Sequence, residues 1–301
     1  MAGKTQIEET ISVDELSKRF REYSIAEFFK KNRQMLGYSG KIRSLTTIVH
    51  EYVTNSLDAC EDANTLPDIE VRITEENSHM IVSVEDNGTG IPRKNIGQAL
   101  GQLLAGTKFA QRQQKRGQQG IGAAYATLFS QITTGKVTKF KTSVGNNKVV
   151  EGEVSVDVQK NEPVVNVTKE YDDHKYHGTF IEAEFSEVGY NKSEYSVYEY
   201  LRRTAIANPH AKLTLIEPSK EKIVFPRSIQ EIPKKPKQVL SHPLGITTSD
   251  LIDMSKASEA RKISSFFTNE FSRFSADKVK EVESLCPGVD FNRHPKNLSW
   301  Q

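Results

Sequence analysis

The chain has 301 residues, of which 36% are hydrophobic, and its 41 basic side chains nearly balance 39 acidic ones. This length can bury one sizeable core and a second, smaller one; the net charge of +2 does not by itself indicate a nucleic-acid partner, and two cysteines exclude a disulfide framework. No apolar run is long enough to span a bilayer and the N-terminus has no apolar signal core, so we expect a cytoplasmic protein.

The first part of the chain predicts a polar arm, two helices and a hairpin. Residues 1–20 are polar and weakly patterned, as in a strap outside the core. A capping-box-like start and an apolar stripe predict a helix at Ser24–Tyr38. A longer helix is predicted from about Lys41 to Ala63. The alternating segments Ile69–Thr74 and Met80–Glu85 then predict a β-hairpin directly after that helix.

The middle of the chain contains a long polar stretch between two helical patterns. Pro92–Leu104 is predicted to be helical, with a proline near its first turn. Ala105–Gly122 has hardly an apolar residue and cannot bury itself, which is typical of a loop. Its final glycines lead into an apolar helix at Ala123–Ser130, an arrangement that directs free N–H groups at an anion. Strands are predicted next at Gln131–Thr142, Lys148–Val158, Val164–Thr168 and Gly178–Phe185.

The last third of the chain changes from a mixed pattern to a helical one. Ser193–Asn208 is predicted to be a helix with Tyr198, Leu201 and Ile206 facing inward, and Pro209 ends it. A hairpin, a basic proline-rich linker and three short amphipathic helices follow. The hairpin is predicted at Lys212–Ile216 and Lys222–Phe225, and the linker at Pro226–Pro243. The helices are predicted at Thr248–Met254, Ser258–Thr268 and Ala276–Leu285.

The long helix carries a polar strip. At about 100° per residue, Asn55 lies roughly 40° from Glu51, and Asp58 lies roughly 20° from Glu51 on the opposite side. A carboxylate and a carboxamide four residues apart can meet the same bound object. A solvated helix face is the alternative interpretation of the strip, and for Asp58 a role in holding the helix or a loop has at least equal support.

Several familiar nucleotide and metal sites are excluded by missing residues. The chain has neither a GxxxxGK[ST] phosphate loop nor a GxGxxG after a first strand. His50-Glu51 begins like a zinc-protease motif, but Thr54 replaces the second histidine. The seven histidines show no ligand spacing, so no site requires a metal held by protein side chains alone.

Four short motifs occur in an order that resembles the GHKL ATPases. They are Glu51-x-x-x-Asn55 on a helix, Asp86-x-Gly88-x-Gly90 at the end of a strand, Gly117-x-x-Gly120-x-Gly122 at the mouth of a helix, and Gly178-Thr179 at the start of a strand. Type II topoisomerase ATPases, ninety-kilodalton heat-shock chaperones, MutL proteins and histidine kinases belong to this group. The stretches EFFKKNRQMLGY, NSLDAC, LLAGTKF, KRGQQGIGAA and SHPLGI are similar to the B subunit of the type IIB enzyme, DNA topoisomerase VI.

The resemblance implies an α+β fold and a division of the chain. The expected ATPase domain is the Bergerat two-layer α/β sandwich with a mixed, mostly antiparallel sheet, followed by a small all-helical helix–two-turns–helix domain. The implied ranges are a strap at 1–20, the GHKL ATPase domain at 21–228, and the basic linker with the helical domain at 229–301. Members of the family continue into a transducer domain whose lysine reaches the γ-phosphate. No residues for that domain are found here, so we expect a truncated chain.

The resemblance also implies ATP and Mg²⁺ as ligands. Glu51 matches the general base for the attacking water, which must be held ionised beside the γ-phosphate. Asn55 matches the Mg²⁺ ligand, since magnesium prefers oxygen and keeps several waters. Asp86 matches the acceptor of the adenine amino group. An unmatched polar pair with guanine there would cost about 1–3 kcal/mol.

Further residues are implied around the base and the phosphates. Gly88 and Gly90 let the backbone approach the base, and Thr179 supports Asp86 through a water molecule. The lid over the phosphates is matched by Thr107, Lys108, Gly117, Gln118, Gln119, Gly120, Ile121, Gly122, Ala123 and Ala124. Related sequences often have a lysine at the position of these two alanines. Phosphate neutralisation is therefore expected to depend more on Lys108, Lys115 or Arg116, of which only Lys108 is favoured by its position.

The implied partners are those of a two-subunit topoisomerase. They are the topoisomerase VI A subunit in an A2B2 heterotetramer, a second copy of the chain in an ATP-dependent homodimer, and double-stranded DNA; no membrane partner is expected. Hydrolysis would gate the passage of one duplex through a break made by the A subunit. Two alternatives remain open: a nucleotide-gated dimerisation module with little catalysis, and another GHKL ATPase of the MutL, chaperone or histidine-kinase type.

Overall fold

The chain is divided into two compact units. The computed structural model describes residues 31, 34, 37–102, 122–160, 162–234 and 239–299. Described residues up to 234 form the first unit, and residues 239–299 form the second. The helix predicted at Ser24–Tyr38 falls mostly outside the described residues. Across the described ranges, no helix combines the length and the apolar character needed to cross a bilayer.

The first unit is built on one eight-stranded sheet. Its strands are β1 (Asp68–Glu76), β2 (His79–Asp86), β3 (Thr138–Ser143), β4 (Lys148–Asp157), β5 (Glu162–Asp172), β6 (Gly178–Phe185), β7 (Lys212–Ile216) and β8 (Lys222–Phe225). They lie in the order β5-β4-β3-β6-β2-β1-β7-β8. Neighbouring strands are antiparallel except β1 and β7, which are parallel. The predicted mixed, mostly antiparallel sheet is therefore confirmed.

Four α-helices among the described residues pack on this sheet. They are α1 (Lys41–Asp62), α2 (Ile96–Gly101), α3 (Gly122–Thr134) and α4 (Val197–Ala207). Helix α1 forms as predicted because its apolar residues recur three and four positions apart, and the face with Leu45, Ile48, Val49 and Tyr52 is fully buried. Along β1 and β6, buried residues alternate with half-buried or exposed ones, so one sheet face meets the core and the other faces outward.

Three strand ends meet at one point of the sheet. The hairpin of β1 and β2 turns at Asn77 and Ser78, both with positive φ, as in the two-residue turn that suits strand twist. At the other end of β2, Asp86 pairs with Thr179, the second residue of β6. Thr179 also pairs with Thr142 near the end of β3. Residues at these three ends are brought together although they are far apart in sequence.

Some predicted elements differ from the observed ones. The strand predicted at Gln131–Thr142 is wrong over its first residues, because α3 continues to Thr134 and β3 begins only at Thr138. Within the helix predicted at Pro92–Leu104, Arg93–Asn95 form a 3₁₀ turn and the short α2 follows, while residues 103 and 104 lie outside the described residues. In α4, Leu201 is buried as expected, but Ile206 is 68% exposed, so its predicted inward orientation is wrong.

The described residues of the second unit form three α-helices. They are α5 (Thr248–Ala257), α6 (Ile263–Glu270) and α7 (Ala276–Leu285). A capping box formed by Thr247 and Asp250 fixes the start of α5. The buried hydrophobic cluster of the second unit is formed by Ile263, Val279 and Phe291. The three predicted helices are confirmed, although α5 ends later and α6 begins later than expected.

Candidate active site

The polar strip of α1 differs in burial from residue to residue. Glu51 is half-buried, Asn55 is exposed and Asp58 is buried. An exposed carboxamide next to a half-buried carboxylate can meet a ligand that arrives from solvent. Asp58 is largely shielded from solvent, which suits a structural role better than contact with a mobile ligand.

Asp86 is a buried carboxylate that accepts three hydrogen bonds. It ends β2 and is only 7% exposed. Its Oδ1 accepts hydrogen bonds from the backbone N–H of Gly88 at 2.9 Å and of Thr179 at 3.2 Å. Its Oδ2 accepts a hydrogen bond from the Ser56 hydroxyl at 2.7 Å. Burial raises the pKa of Asp86, and these three hydrogen bonds oppose that rise because they favour the ionised form.

The support from Thr179 is more direct than expected. The sequence predicted a water between Thr179 and Asp86, whereas the backbone N–H of Thr179 itself donates to the carboxylate. The Thr179 hydroxyl lies 3.5 Å from that of Thr142. Thr142 in turn accepts from the backbone N–H of Ile91 at 2.7 Å and donates to the Gly178 carbonyl. The buried Thr142 thus links the end of β3 to the loop after Asp86.

Glycines permit the close approaches around Asp86. A Cβ on Gly88 would come within 2.7 Å of the Ala59 Cβ on α1. Gly90 and Gly178 both have positive φ, and a Cβ on either would overlap a backbone carbonyl, that of Ser143 or of Asp86. Side chains at these positions would push the loop and β6 away from the carboxylate. The glycines of the DxGxG pattern therefore have a packing reason as well as a conformational one.

The Asn87 side chain holds the end of β2 to its surroundings. Its Oδ1 accepts from the backbone N–H of Asp68 at 2.9 Å and from the Cys60 thiol at 3.3 Å. Its Nδ2 donates to the Leu66 carbonyl at 3.1 Å. These contacts join α1, β1 and β2 immediately beside Asp86. Burial, followed by the charge of Asp86, raises the pKa of Cys60 to about 12, so this thiol stays neutral.

Glu51 lies against the first residue of α3. A Cβ built on Gly122 would overlap the Glu51 carboxylate, so only glycine leaves room for it. The start of a helix carries partial positive charge, which stabilises an ionised carboxylate there. Ala123 and Ala124, the next two residues, are buried. The structure thus brings Glu51 together with the end of the predicted lid motif.

The remaining lid residues cannot be placed. Thr107, Lys108, Gly117, Gln118, Gln119, Gly120 and Ile121 lie outside the described residues. Within the described part of the chain, no group of three or more His, Cys, Asp or Glu side chains could hold a metal ion. A magnesium ion at Asn55 would therefore need oxygen ligands from the nucleotide and from water, a ligand set that magnesium commonly accepts.

A cavity of about 800 Å³ lies on a different flank of α1. His50, Thr54 and Leu57 line it, together with Arg43 and Tyr200 among others. None of the described site residues predicted above lines this cavity. His50 packs edge-on against the Tyr200 ring with centroids 5.4 Å apart. Chemistry, rather than cavity size, locates the candidate site on the Glu51 side of the helix.

Three residues that hold Asp86 and its surroundings in place were not predicted from the sequence. Ser56 follows the polar residue Asn55 directly, and Asn87 follows Asp86, so proximity in sequence was the available signal for both. Thr142 had no such signal, because only the pairing of β3 with β6 brings it to Asp86.

Comparisons with known proteins find matches over the part of the chain that carries these residues. Residues 40–182 match the family described as histidine kinase-, DNA gyrase B- and HSP90-like ATPase. The B subunit of type 2 DNA topoisomerase 6 from Pyrococcus horikoshii is 50% identical over 285 residues, which cover 94% of this chain and 50% of that protein. The corresponding B subunit from Methanothermobacter thermautotrophicus is 42% identical, over 96% of this chain and 56% of the relative. The chain thus spans about half the length of the curated relatives it matches.

Solved structures show a looser likeness. The ATPase and transducer domains of DNA topoisomerase II from Balamuthia mandrillaris give a TM-score of 0.47 at 15% identity, over 68% of this chain and 61% of that chain. The ATPase region of Saccharomyces cerevisiae topoisomerase II gives 0.46 at 15% identity, over 69% and 62%. Likeness at this level does not support a residue-by-residue comparison.

Proposed function

We propose that this chain is the ATP-binding and ATP-hydrolysing part of the B subunit of a type 2 DNA topoisomerase 6, because residues 40–182 match the family described as histidine kinase-, DNA gyrase B- and HSP90-like ATPase. The observation that carries the proposal is the buried Asp86 carboxylate, held at the meeting point of three strand ends and next to the polar face of α1. Identity of 50% to a curated B subunit over 94% of the chain supports the choice within the family.

In this proposal the base and the phosphates are bound by different groups. Asp86 accepts a hydrogen bond from the amino group of adenine, while Gly88 and Gly90 let the backbone come close to the ring. The start of α3 faces the phosphates, and its partial positive charge favours them. Thr107, Lys108 and residues 117–121 complete the phosphate site from the lid. Lys108 supplies positive charge where the chain has Ala123 and Ala124.

Hydrolysis is assigned to Glu51. As a general base it orients the attacking water and takes its proton, which requires an ionised carboxylate fixed close to the γ-phosphate. Gly122 leaves room for that carboxylate beside the helix start. Asn55 would hold Mg²⁺, which when bound neutralises phosphate charge.

The assembly follows from the same family. Two copies of the chain dimerise when ATP binds, with the strap at residues 1–20 taking part, and each associates with an A subunit that cuts DNA. Residues 229–301 form the linker and the helix–two-turns–helix domain and contribute to contact with duplex DNA. Crosslinking with and without a non-hydrolysable ATP analogue tests the dimer. Equal yields in both samples would contradict nucleotide-gated assembly.

The hydrolysis assignment is tested by Glu51→Ala. We expect the variant to bind ATP normally and to lose turnover by roughly 10²–10⁴-fold, the contribution typical of a positioned general base. Glu75→Ala, which removes an exposed carboxylate on β1, is the matched control. Turnover by Glu51→Ala at the rate of the control would refute the assignment. ATP binding without turnover in the unmodified chain would favour a dimerisation module with little catalysis.

A further inference from the structure

The hydrogen bonds of Asp86 leave it one acceptor position. A carboxylate oxygen offers two lone pairs. Both positions on Oδ1 are occupied by the backbone N–H groups of Gly88 and Thr179. Oδ2 accepts from Ser56, which leaves its second lone pair available among the described contacts. An ionised Asp86 can therefore accept a single further N–H group and can donate nothing.

Ser56 is the one side chain among these three donors. It is 5% exposed and comes from α1, whereas the other two donors are backbone groups of the loop after β2 and of β6. Its bond to Asp86 is short, at 2.7 Å, as expected for a hydroxyl that donates to a charged oxygen. Substitution can remove this donor without altering the backbone donors, so the state of Asp86 depends on Ser56 more than on any other described side chain.

We propose that Ser56 is a positioning residue that sets base selectivity. Its hydroxyl keeps Asp86 ionised and oriented, so that the site accepts a purine with an amino group at position 6 and rejects one with a carbonyl there. This inference rests on the proposed function, in which Asp86 receives the base of ATP.

The physical reason is the change in hydrogen-bonding character on protonation. An ionised carboxylate only accepts, and it repels a carbonyl oxygen; a protonated one has an O–H that can donate to that carbonyl. Burial already raises the pKa of Asp86, and the Ser56 bond is the largest of the opposing effects. Removing the hydroxyl raises the pKa of Asp86 further, so the protonated form is populated at higher pH.

Other titratable groups lie near Asp86 or along α1. Cys60 faces it from α1, and Tyr176 from the loop before β6; burial raises the pKa of both, so that both stay neutral. Glu85 precedes it on β2, and its charge adds to the rise. Glu51 and Asp58 lie on the same helix as Ser56. All five groups are unchanged in a Ser56 variant, so a difference from the unmodified chain reports on the lost hydroxyl.

The experiment compares three nucleotides that differ at position 6 of the purine. ATP carries an amino group, inosine triphosphate a carbonyl, and purine riboside triphosphate a hydrogen. Dissociation constants are measured by calorimetry at several values between about pH 5.5 and 8.5, for the unmodified chain, Ser56→Ala and Ser56→Thr. Ser130→Ala is the control, because Ser130 is a buried serine of α3 whose hydroxyl has no partner among the described residues. Thermal unfolding checks that each variant is folded.

We expect Ser56→Ala to bind ATP about tenfold more weakly near neutral pH, the usual effect of losing a hydrogen bond to a charged group. Its preference for ATP over inosine triphosphate should fall as pH decreases, and should do so at higher pH than in the unmodified chain. Purine riboside triphosphate should bind the variant and the unmodified chain equally. Ser56→Thr should restore selectivity because it keeps the hydroxyl.

Two results would overturn the inference. In one, Ser56→Ala weakens all three nucleotides equally at every pH, which would show a purely structural role. In the other, its selectivity and pH profile match those of Ser130→Ala. Failure of the unmodified chain to bind ATP would instead refute the proposed function itself, and the inference with it.

Discussion

The two ends of the candidate site are built differently. We call Ser56, Asp86, Gly88 and Thr179 the base end, and Glu51, Asn55 and Gly122 the phosphate end. The base end is buried and joined by direct hydrogen bonds between α1, β2 and β6. In the phosphate end, Glu51 is half-buried and Asn55 is exposed. The groups proposed to recognise the base thus belong to the folded core, whereas the groups proposed for hydrolysis lie nearer its surface. Substitutions should affect stability at the base end and turnover at the phosphate end.

The largest effect is expected for Asp86→Asn at the base end. An asparagine amide has one oxygen and one NH₂ group. In one orientation the NH₂ group faces the backbone N–H groups of Gly88 and Thr179, and in the other it faces the adenine amino group, so two donors meet in either case. We expect ATP affinity to fall by roughly a hundredfold, since mismatches at a buried charged group cost about 1.5–3 kcal/mol each. Calorimetric titration with ATP measures this, and affinity within threefold of the unmodified chain would contradict the role of Asp86.

The same variant should separate binding from stability. A raised folded-state pKa means that the contribution of Asp86 to stability is present below its unfolded pKa of about 3.9 and is lost as pH rises through the folded value. Asparagine does not ionise, so the stability of Asp86→Asn has no such dependence on pH. Urea unfolding should show that the stability of the variant, relative to that of the unmodified chain, increases from about pH 4 to neutral pH. A difference independent of pH would contradict this prediction.

Gly122→Ala tests the phosphate end with a smaller expected effect. Its new Cβ would overlap the Glu51 carboxylate, so Glu51 must move. Turnover should fall by roughly tenfold to a hundredfold, because a displacement of about 1 Å at a reacting group can have that effect. The unfolding midpoint should change little, because the overlap is with the end of a flexible side chain. Gly288→Ala is the control, since a Cβ there meets nothing within 4 Å. A loss of stability without a loss of turnover would break the contrast between the two ends.

Asn87→Ala should have the smallest effect and should act on the fold. It removes three side-chain hydrogen bonds beside Asp86, one of them from the buried Cys60 thiol. The free energy of unfolding should fall by about 1–3 kcal/mol. ATP affinity should fall only severalfold, because the bonds to Asp86 itself remain. Asn95→Ala, which removes one exposed contact with Gln98, is the control. Chemical denaturation of both variants measures the difference.

Sequence patterns predicted best what depends on local constraints. The long helix, the first hairpin and the strand Gly178–Phe185 were predicted because apolar spacing and turn residues determine them within one segment. The strand predicted from Gln131 was wrong because Thr133 and Thr134 do not end α3; their hydroxyls bond to carbonyls of the preceding turn instead. Ile206 was misplaced because periodicity shows that a helix has an apolar face, not how far the neighbouring core extends along it.

The site was predictable where each residue belongs to a motif. Glu51 and Asp86 could be named because glycines and helix spacing surround them in recognisable order. The contact of Gly122 with Glu51 could not be foreseen, because it depends on the relative placement of α1 and α3. Ser56 and Thr142 act through hydrogen bonds across elements, and such bonds leave no periodic signal in the sequence. The assignments of the site residues to catalysis and binding, Glu51, Asn55 and Asp86 among them, stay predictions until the variants are measured.

Each unit of the molecule contains one cysteine whose alkylation rate can be measured separately. The Cys60 thiol is fully buried and bonded to Asn87, so an alkylating reagent can reach it only when the end of β2 opens. Cys286 lies at the end of α7 in the second unit and is partly accessible. Labelling kinetics on the unmodified chain would therefore yield two separate rates. The slower rate reports how often the structure around Cys60, next to the base end, opens to solvent. If a bound nucleotide lowers that rate, the decrease measures how strongly binding suppresses this opening.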